Sequence, residues 1–170
     1  MRMQARPVVH ETVARASQLT QKTNQFNMTT RRYTEAEVAA FAESASHRVW
    51  TVQVADRFGD NGIVGLLIVE AGPEEWGIDT FLMSCRVIGR TVEAAMLSWR
   101  AGQARAAGAN RLVGEFIPTK KNARAADTFA GHGFAPAGEA GTIQFPEWIE
   151  LLDAEALPAS MAIPTTLLPG

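Results

Sequence analysis

The sequence holds one thiol, Cys85, and three imidazoles, His10, His47 and His132. A thiol is nucleophilic as its thiolate. Cys85 is followed by Arg86 and Arg90 where a helical pattern opens, so two guanidinium groups and a helix N-terminus would favour that form. Such a cysteine could attack an acyl phosphate and hold the acyl group as a thioester. The competing reading is a buried cysteine that alternates with Phe81 and Met83 on one strand face and acts as a small apolar residue. A base for the thiol must lie within hydrogen-bond reach. Asp79 shares the face of Cys85 by strand alternation, but a regular strand at roughly 3.3 Å per residue puts it about 20 Å away. His132 precedes a turn glycine and reads as solvated. His47 opens a strand and is the candidate proton carrier, against the alternative of a structural histidine.

Two further groups of residues could bind. Residues 23–30, Thr-Asn-Gln-Phe-Asn-Met-Thr-Thr, are rich in amides and hydroxyls and end in Arg31 and Arg32, which predicts a polar loop. Asn24, Gln25, Asn27 and Arg31, with Asp60 and Asp79, offer directional donors, acceptors and charge for a substrate. The plainer reading is that the loop caps two helices and the turn at 56–60 joins two strands. The run Arg86, Val87, Gly89, Arg90 and Thr91 would turn backbone N–H groups and two guanidinium groups toward a phosphate or thioester oxygen of a cofactor.

The surrounding composition is that of one ordinary soluble domain: 170 residues, 16 basic against 18 acidic side chains and 46% apolar residues. Balanced charge argues against a general nucleic-acid binder. Its distribution is uneven: Met1 to Arg32 is +5 (six basic, one acidic), Arg86 to Arg124 is +6 (eight basic, two acidic), and Tyr33 to Cys85 is −7 (two basic, nine acidic). The two basic segments could converge on one anionic ligand. The lone cysteine and scattered histidines give no metal-ligand spacing and fit a reducing cytoplasm. No apolar run approaches the roughly 20 residues of a membrane span.

Period and turn residues then give the elements. Met3 to Val9 predicts a strand and Glu11 to Thr20 a helix. Thr34 and Glu37 form a capping box that opens a second helix running to about Ser44. Trp50, Val52 and Val54 alternate with polar neighbours, Asn61-Gly62 predicts a hairpin turn, Ile63 to Val69 returns as a strand, and Ile78 to Ser84 follows. Val92, Ala95, Met96, Trp99, Gln103 and Ala106 define one face of a long helix ending at Gly108. Arg111 to Ile117 predicts a strand, Asn122 to Ala130 a shorter helix, and two strands follow between Gly133 and Leu152. Residues 1–152 would form the domain and 153–170 a Pro-containing tail.

The order β, α, α, three antiparallel β, α, β, α, β, β resembles the GNAT acyltransferase superfamily. Asn122, Ala125, Phe129, Gly133 and Phe134 keep its spacing N-x-x-A-x-x-x-[YF]-x-x-x-G-F. The resemblance implies an α/β fold with a mixed, mostly antiparallel sheet flanked by helices on both faces. It places Asn122 near the pantetheine or pyrophosphate of a carrier, and puts Phe129 where a tyrosine acid is common. The superfamily's phosphate signature can be aligned on Arg86, giving Gly89 and Thr91, or on helix period, giving Thr91 and Glu93. The second alignment sets a carboxylate near a coenzyme A pyrophosphate and would trouble a carrier-protein phosphodiester less.

A more extensive resemblance runs through Gln18 to Asn27, Thr30-Arg31-Arg32-Tyr33, Asp56 to Asp60 and Ile78 to Arg90, which look like the C-terminal half of FkbH-like proteins. That family loads a glyceryl unit from 1,3-bisphosphoglycerate onto an acyl carrier protein and carries an N-terminal HAD-type phosphatase half, which this sequence lacks. The resemblance implies transfer of a glyceryl or related short acyl group to a carrier-protein phosphopantetheine thiol through Cys85. The polar loop would then hold a phosphorylated three-carbon acid, and a separate phosphatase and an acyl carrier protein would be the partners. Lys120, Lys121 and Arg124 offer that acidic carrier a docking patch. Two alternatives stand beside this expectation: an acyl-CoA-dependent N-acetyltransferase using coenzyme A, and a non-catalytic carrier-docking domain.

Overall fold

A computed structural model describes residues 2–56, 59–87, 92–93, 96–97, 103–104, 106–109, 111–128, 135–136 and 142–144. The elements are β1 (Arg2–Pro7), α1 (His10–Lys22), α2 (Glu35–Glu43), β2 (His47–Asp56), β3 (Gly59–Ala71), β4 (Glu75–Met83), β5 (Arg111–Glu115), a 3-10 turn (Ala123–Ala125), β6 (Ala135–Pro136) and β7 (Thr142–Gln144). Residues 92–93, 96–97, 103–104 and 106 between β4 and β5 are helical, and Gly108, at φ 90°, supplies the left-handed conformation that follows. The strands form one sheet in the order β1-β2-β3-β4-β5-β7-β6. Among the described strands only β4 and β5 pair in parallel, and the helical segment between them is the crossover such a pair needs.

Both faces of the sheet are covered, which explains why Val64 to Val69 is apolar without alternation. On one face Val49, Leu66, Ile68 and Leu82 pack under Ala16 and Leu19 of α1 and Val38 of α2. On the other, Trp50, Val52, Val54, Leu67 and Phe81 meet Val92, Met96, Leu97 and Ala104 of the crossover helix and Ala125. Thr34 caps α2 as expected: its hydroxyl accepts from Glu37 N while Glu37 Oε2 accepts from Thr34 N. The expected mixed α/β sheet with helices on both faces is therefore present.

Three local expectations are corrected. Asp56 already pairs with Gly59, so the chain has reversed before Asn61-Gly62, which instead falls within a register irregularity of β3. On the crossover helix Val92 and Met96 are buried, but Ala104 rather than Ala106 continues that face. The helix predicted from Asn122 to Ala130 opens as a 3-10 turn over Ala123–Ala125, Thr128 is helical beyond it, and 129–130 lie outside the described residues. The predicted tail, 153–170, lies outside the described residues.

Candidate functional site

The ladder between β4 and β5 stops at Ile78 and Gly114. One residue later, Ile68 of β3 pairs with Thr80 and Val69 with Ile78, leaving Asp79 as the extra residue of a β-bulge. The bulge resets alternation, so Trp76 and Ile78 before it share a core face with Phe81 and Met83 after it. It also carries Asp79 onto the face of α1 and α2. The expectation that Asp79 and Cys85 share a face of one strand fails for this reason, and because β4 ends at Met83.

Asp79 anchors a network. Its Oδ2 accepts from Tyr33 Oη at 2.7 Å and Thr80 Oγ1 at 2.8 Å, and its Oδ1 accepts from Arg31 Nη1 at 2.8 Å. Arg31 Nη2 donates to Glu115 Oε1 and Oε2, both at 2.9 Å. Burial, then the hydrogen bond to Asp79, raises the Tyr33 phenol pKa, so it is held as a donor. Burial alone would lower the Arg31 pKa, but Asp79 and Glu115 outweigh it and hold the guanidinium above its ordinary value. Arg31, Asp79 and Glu115 line a cavity of about 270 Å³ with Glu70, Gly77, Ile78 and Val113. Three carboxylates face one guanidinium there. Glu115 and Glu70 carry no motif in the sequence; only the parallel register of β4 and β5 brings Glu115 level with the bulge.

Beyond the bulge, the α1–α2 connection lies between β4 and the segment after β5. Met28 N donates to Phe81 O at 3.1 Å, Met83 N to Phe26 O at 3.0 Å, and Ile117 N to Met28 O at 2.8 Å. Asn27 is fully buried, its carboxamide bonded to Thr23 O and Thr30 N. Asn122, also fully buried, donates from Nδ2 to Asn27 O and Ile117 O while its Oδ1 accepts from Thr119 N. The carboxamides of both residues are thus engaged inside the protein.

Cys85 is exposed in a turn after β4, which overturns the buried-core reading of this residue. It lines a second cavity, about 310 Å³, with Arg15, Lys22, Asn24, Gln25 and Ser84. The structure therefore brings Cys85 together with Asn24 and Gln25, and separately brings Arg31 together with Asp79. It does not bring His47 or Asp60 to either cavity. His47 Nδ1 lies 3.0 Å from Ser46 Oγ, with its ring against Phe41 at 4.8 Å, and lines another cavity with Ala42 and Trp50. Asp60 accepts from Gln53 Nε2 and Gly62 N at the far end of the β2–β3 hairpin. Arg86 is exposed and Val87 buried. Gly89, Arg90, Thr91 and Phe129 lie outside the described residues. Glu93 has one carboxylate oxygen buried without a hydrogen bond.

Solved structures share this fold. The ribosomal-protein-S18-alanine N-acetyltransferase from Escherichia coli superposes with a TM-score of 0.63 at 13% identity, over 85% of this chain and 93% of that one. The GNAT domain of S. lividans PAT gives 0.62 at 16%, over 82% and 86%. The chain has the GNAT fold. An aminoglycoside acetyltransferase AAC(6')-Ib, solved in complex with coenzyme A, gives 0.60 at 15%, over 86% and 96%. No family model and no curated protein matches the sequence. The FkbH-like resemblance thus receives no independent support, whereas the GNAT fold does. Among the described residues no helix is long and apolar enough to cross a membrane.

Proposed function

We propose that this chain is an acyltransferase that takes an acyl group from a coenzyme A thioester and passes it to an amine. The observation that carries this reading is the acidic cavity set on the point where the parallel β4–β5 ladder of a GNAT fold opens. Two carboxylates in excess of the guanidinium favour a cationic acceptor by simple Coulomb attraction. The acceptor must lose a proton before its nitrogen can attack. Asp79 already accepts from three side-chain donors. Of the other two carboxylates, Glu70 is level with Gly77 inside the ladder, whereas Glu115 stands one residue past its end, and its 38% exposed side chain, bonded to Arg31 alone, is the one we assign to take that proton. Arg15 and Lys22 line the cavity at Cys85 without an acidic residue and, with Arg86 exposed next in sequence to Cys85, suit the phosphate-bearing part of coenzyme A. The carrier would supply the activated acyl thioester. Structures of similar shape solved with coenzyme A support that choice.

A second reading rests on Cys85. Its exposure beside Arg15, Lys22, Asn24 and Gln25 favours a loading reaction in which the sulfur bonds to the acyl carbon of an acyl phosphate. The carbon–oxygen bond would break, phosphate would leave with the electron pair and the thiol proton would pass to water. The acyl group, glyceryl in the FkbH-like case, would then move to the phosphopantetheine thiol of an acyl carrier protein, with a separate HAD-type phosphatase as partner. Intact-protein and small-molecule mass spectrometry of wild type and Cys85→Ala distinguishes the two. With acetyl-CoA and a panel of primary amines, the first reading expects N-acylated amine from both proteins. A mass adduct from 1,3-bisphosphoglycerate on wild type alone, with no amine product, supports the second and overturns the first.

A further inference from the structure

We propose that Arg31 is a positioning residue: it clamps the two diverging strands at the mouth of the site and fixes the carboxylate of Glu115 for proton transfer. This rests on the acyl-transfer reading above. Where the backbone ladder ends, at Ile78 and Gly114, one guanidinium takes its place. Nη1 bonds Asp79 Oδ1 at 2.8 Å and Asp79 O at 3.3 Å on β4, and Nη2 bonds both Glu115 oxygens on β5. A planar fork can satisfy two strands at once, which the single ammonium of a lysine cannot. With both Nη groups committed, Arg31 has little left to offer a substrate directly.

The backbone supports the assignment independently. Thr30, immediately before Arg31, has φ 54°, a left-handed conformation that a β-branched residue rarely adopts. Its N–H is held by Asn27 Oδ1 at 3.0 Å, and Thr29 Oγ1 donates to Asp79 O at 3.0 Å. Such strain persists where surrounding bonds over-determine the chain. Here it turns Arg31 into the opening. Asp79, saturated by Tyr33, Thr80 and Arg31, is the fixed post of the clamp, and Glu115 is the arm that faces the cavity.

The test compares Arg31→Lys and Asp79→Asn with wild type, both checked for folding by circular dichroism, in steady-state acyl transfer and in amide hydrogen exchange. Misplacing a reacting group by about 1 Å costs on the order of 100-fold in rate. Arg31→Lys is expected to lower kcat by about that factor with KM for acyl-CoA and amine held within about twofold, and Asp79→Asn to lower kcat less. Exchange at the Met28, Met83 and Ile117 amides is expected to speed up in both. A loss confined to the amine KM would make Arg31 a substrate ligand and overturn the proposal. So would wild-type kcat in Arg31→Lys. If wild type turns over no acyl-CoA, the acyl-transfer reading fails on its own, and unchanged amide exchange would then remove the clamp as well. If Arg31→Lys does not fold, Asp79→Asn decides by the same two readouts.

Discussion

Tyr33 donates its hydroxyl proton to Asp79 at 2.7 Å, and burial together with that bond raises its pKa above the ordinary phenol value. A raised folded-state pKa means the folded protein holds the proton more tightly than the unfolded chain. The stability this contributes is complete below the unfolded value near 10 and is lost as pH rises through the higher folded value. Because Tyr33 is the sole tyrosine, tyrosinate absorbance reports it alone. We expect native protein to titrate well above the urea-unfolded chain, and Tyr33→Phe to lose this alkaline dependence of the unfolding midpoint; a native titration at the ordinary phenol value would contradict the hydrogen bond. At this scale the sequence was only partly readable. Arg31, Asp79 and Cys85 attract attention by residue type, but their grouping depends on a β-bulge, and no spacing rule shows which residue of a strand is the extra one. Glu115 carries no signal, since the sequence runs its strand on to Ile117 whereas β5 ends at Glu115.

The capping box at Thr34 was visible in the sequence because it is local: two side chains and two amides within one turn. Thr34→Ala should cost about 1 kcal/mol in urea unfolding. Strand alternation was equally readable in β2, where Trp50, Val52 and Val54 share one core face. The hairpin was misplaced because Asn-Gly is a strong turn pair, yet the register of β2 against β3 is governed by which face is buried, and the irregularity near Gln53 absorbs the pair instead. Two strand glycines behave oppositely. A Cβ at Gly65 would lie 3.2 Å from Val52 Cβ and 3.4 Å from Leu82 O, whereas one at Gly77 meets nothing within 4 Å. Gly65→Ala should therefore destabilise by about 1–3 kcal/mol through overpacking. Gly77→Ala should be neutral or stabilise by up to about 1 kcal/mol, since alanine restricts the unfolded chain. Equal urea midpoints for the two variants would contradict this packing.

Over the whole molecule, the charged segments of the sequence contribute to two cavities, with Arg31 and Glu115 of the basic segments reaching the acidic one. The N-terminal basic segment supplies Arg15 and Lys22 to the cavity at Cys85, and Arg124 of the second basic segment donates to Gln25 at 3.3 Å on the same connection. The acidic middle segment supplies Glu70 and Asp79 to the other cavity. A phosphate-bearing donor would thus favour the basic cavity at Cys85, and a cationic acceptor the acidic cavity at Asp79 and Glu115. The measurement that tests this account most directly is steady-state acyl transfer from acetyl-CoA to primary amines by wild type and Glu115→Gln, with the product followed by mass spectrometry. Removing a general base costs about 100- to 10,000-fold. We expect N-acyl product from wild type and a kcat lowered within that range in Glu115→Gln at unchanged acetyl-CoA KM. Equal kcat in the two proteins, or no amine product from wild type with any acceptor, would contradict it.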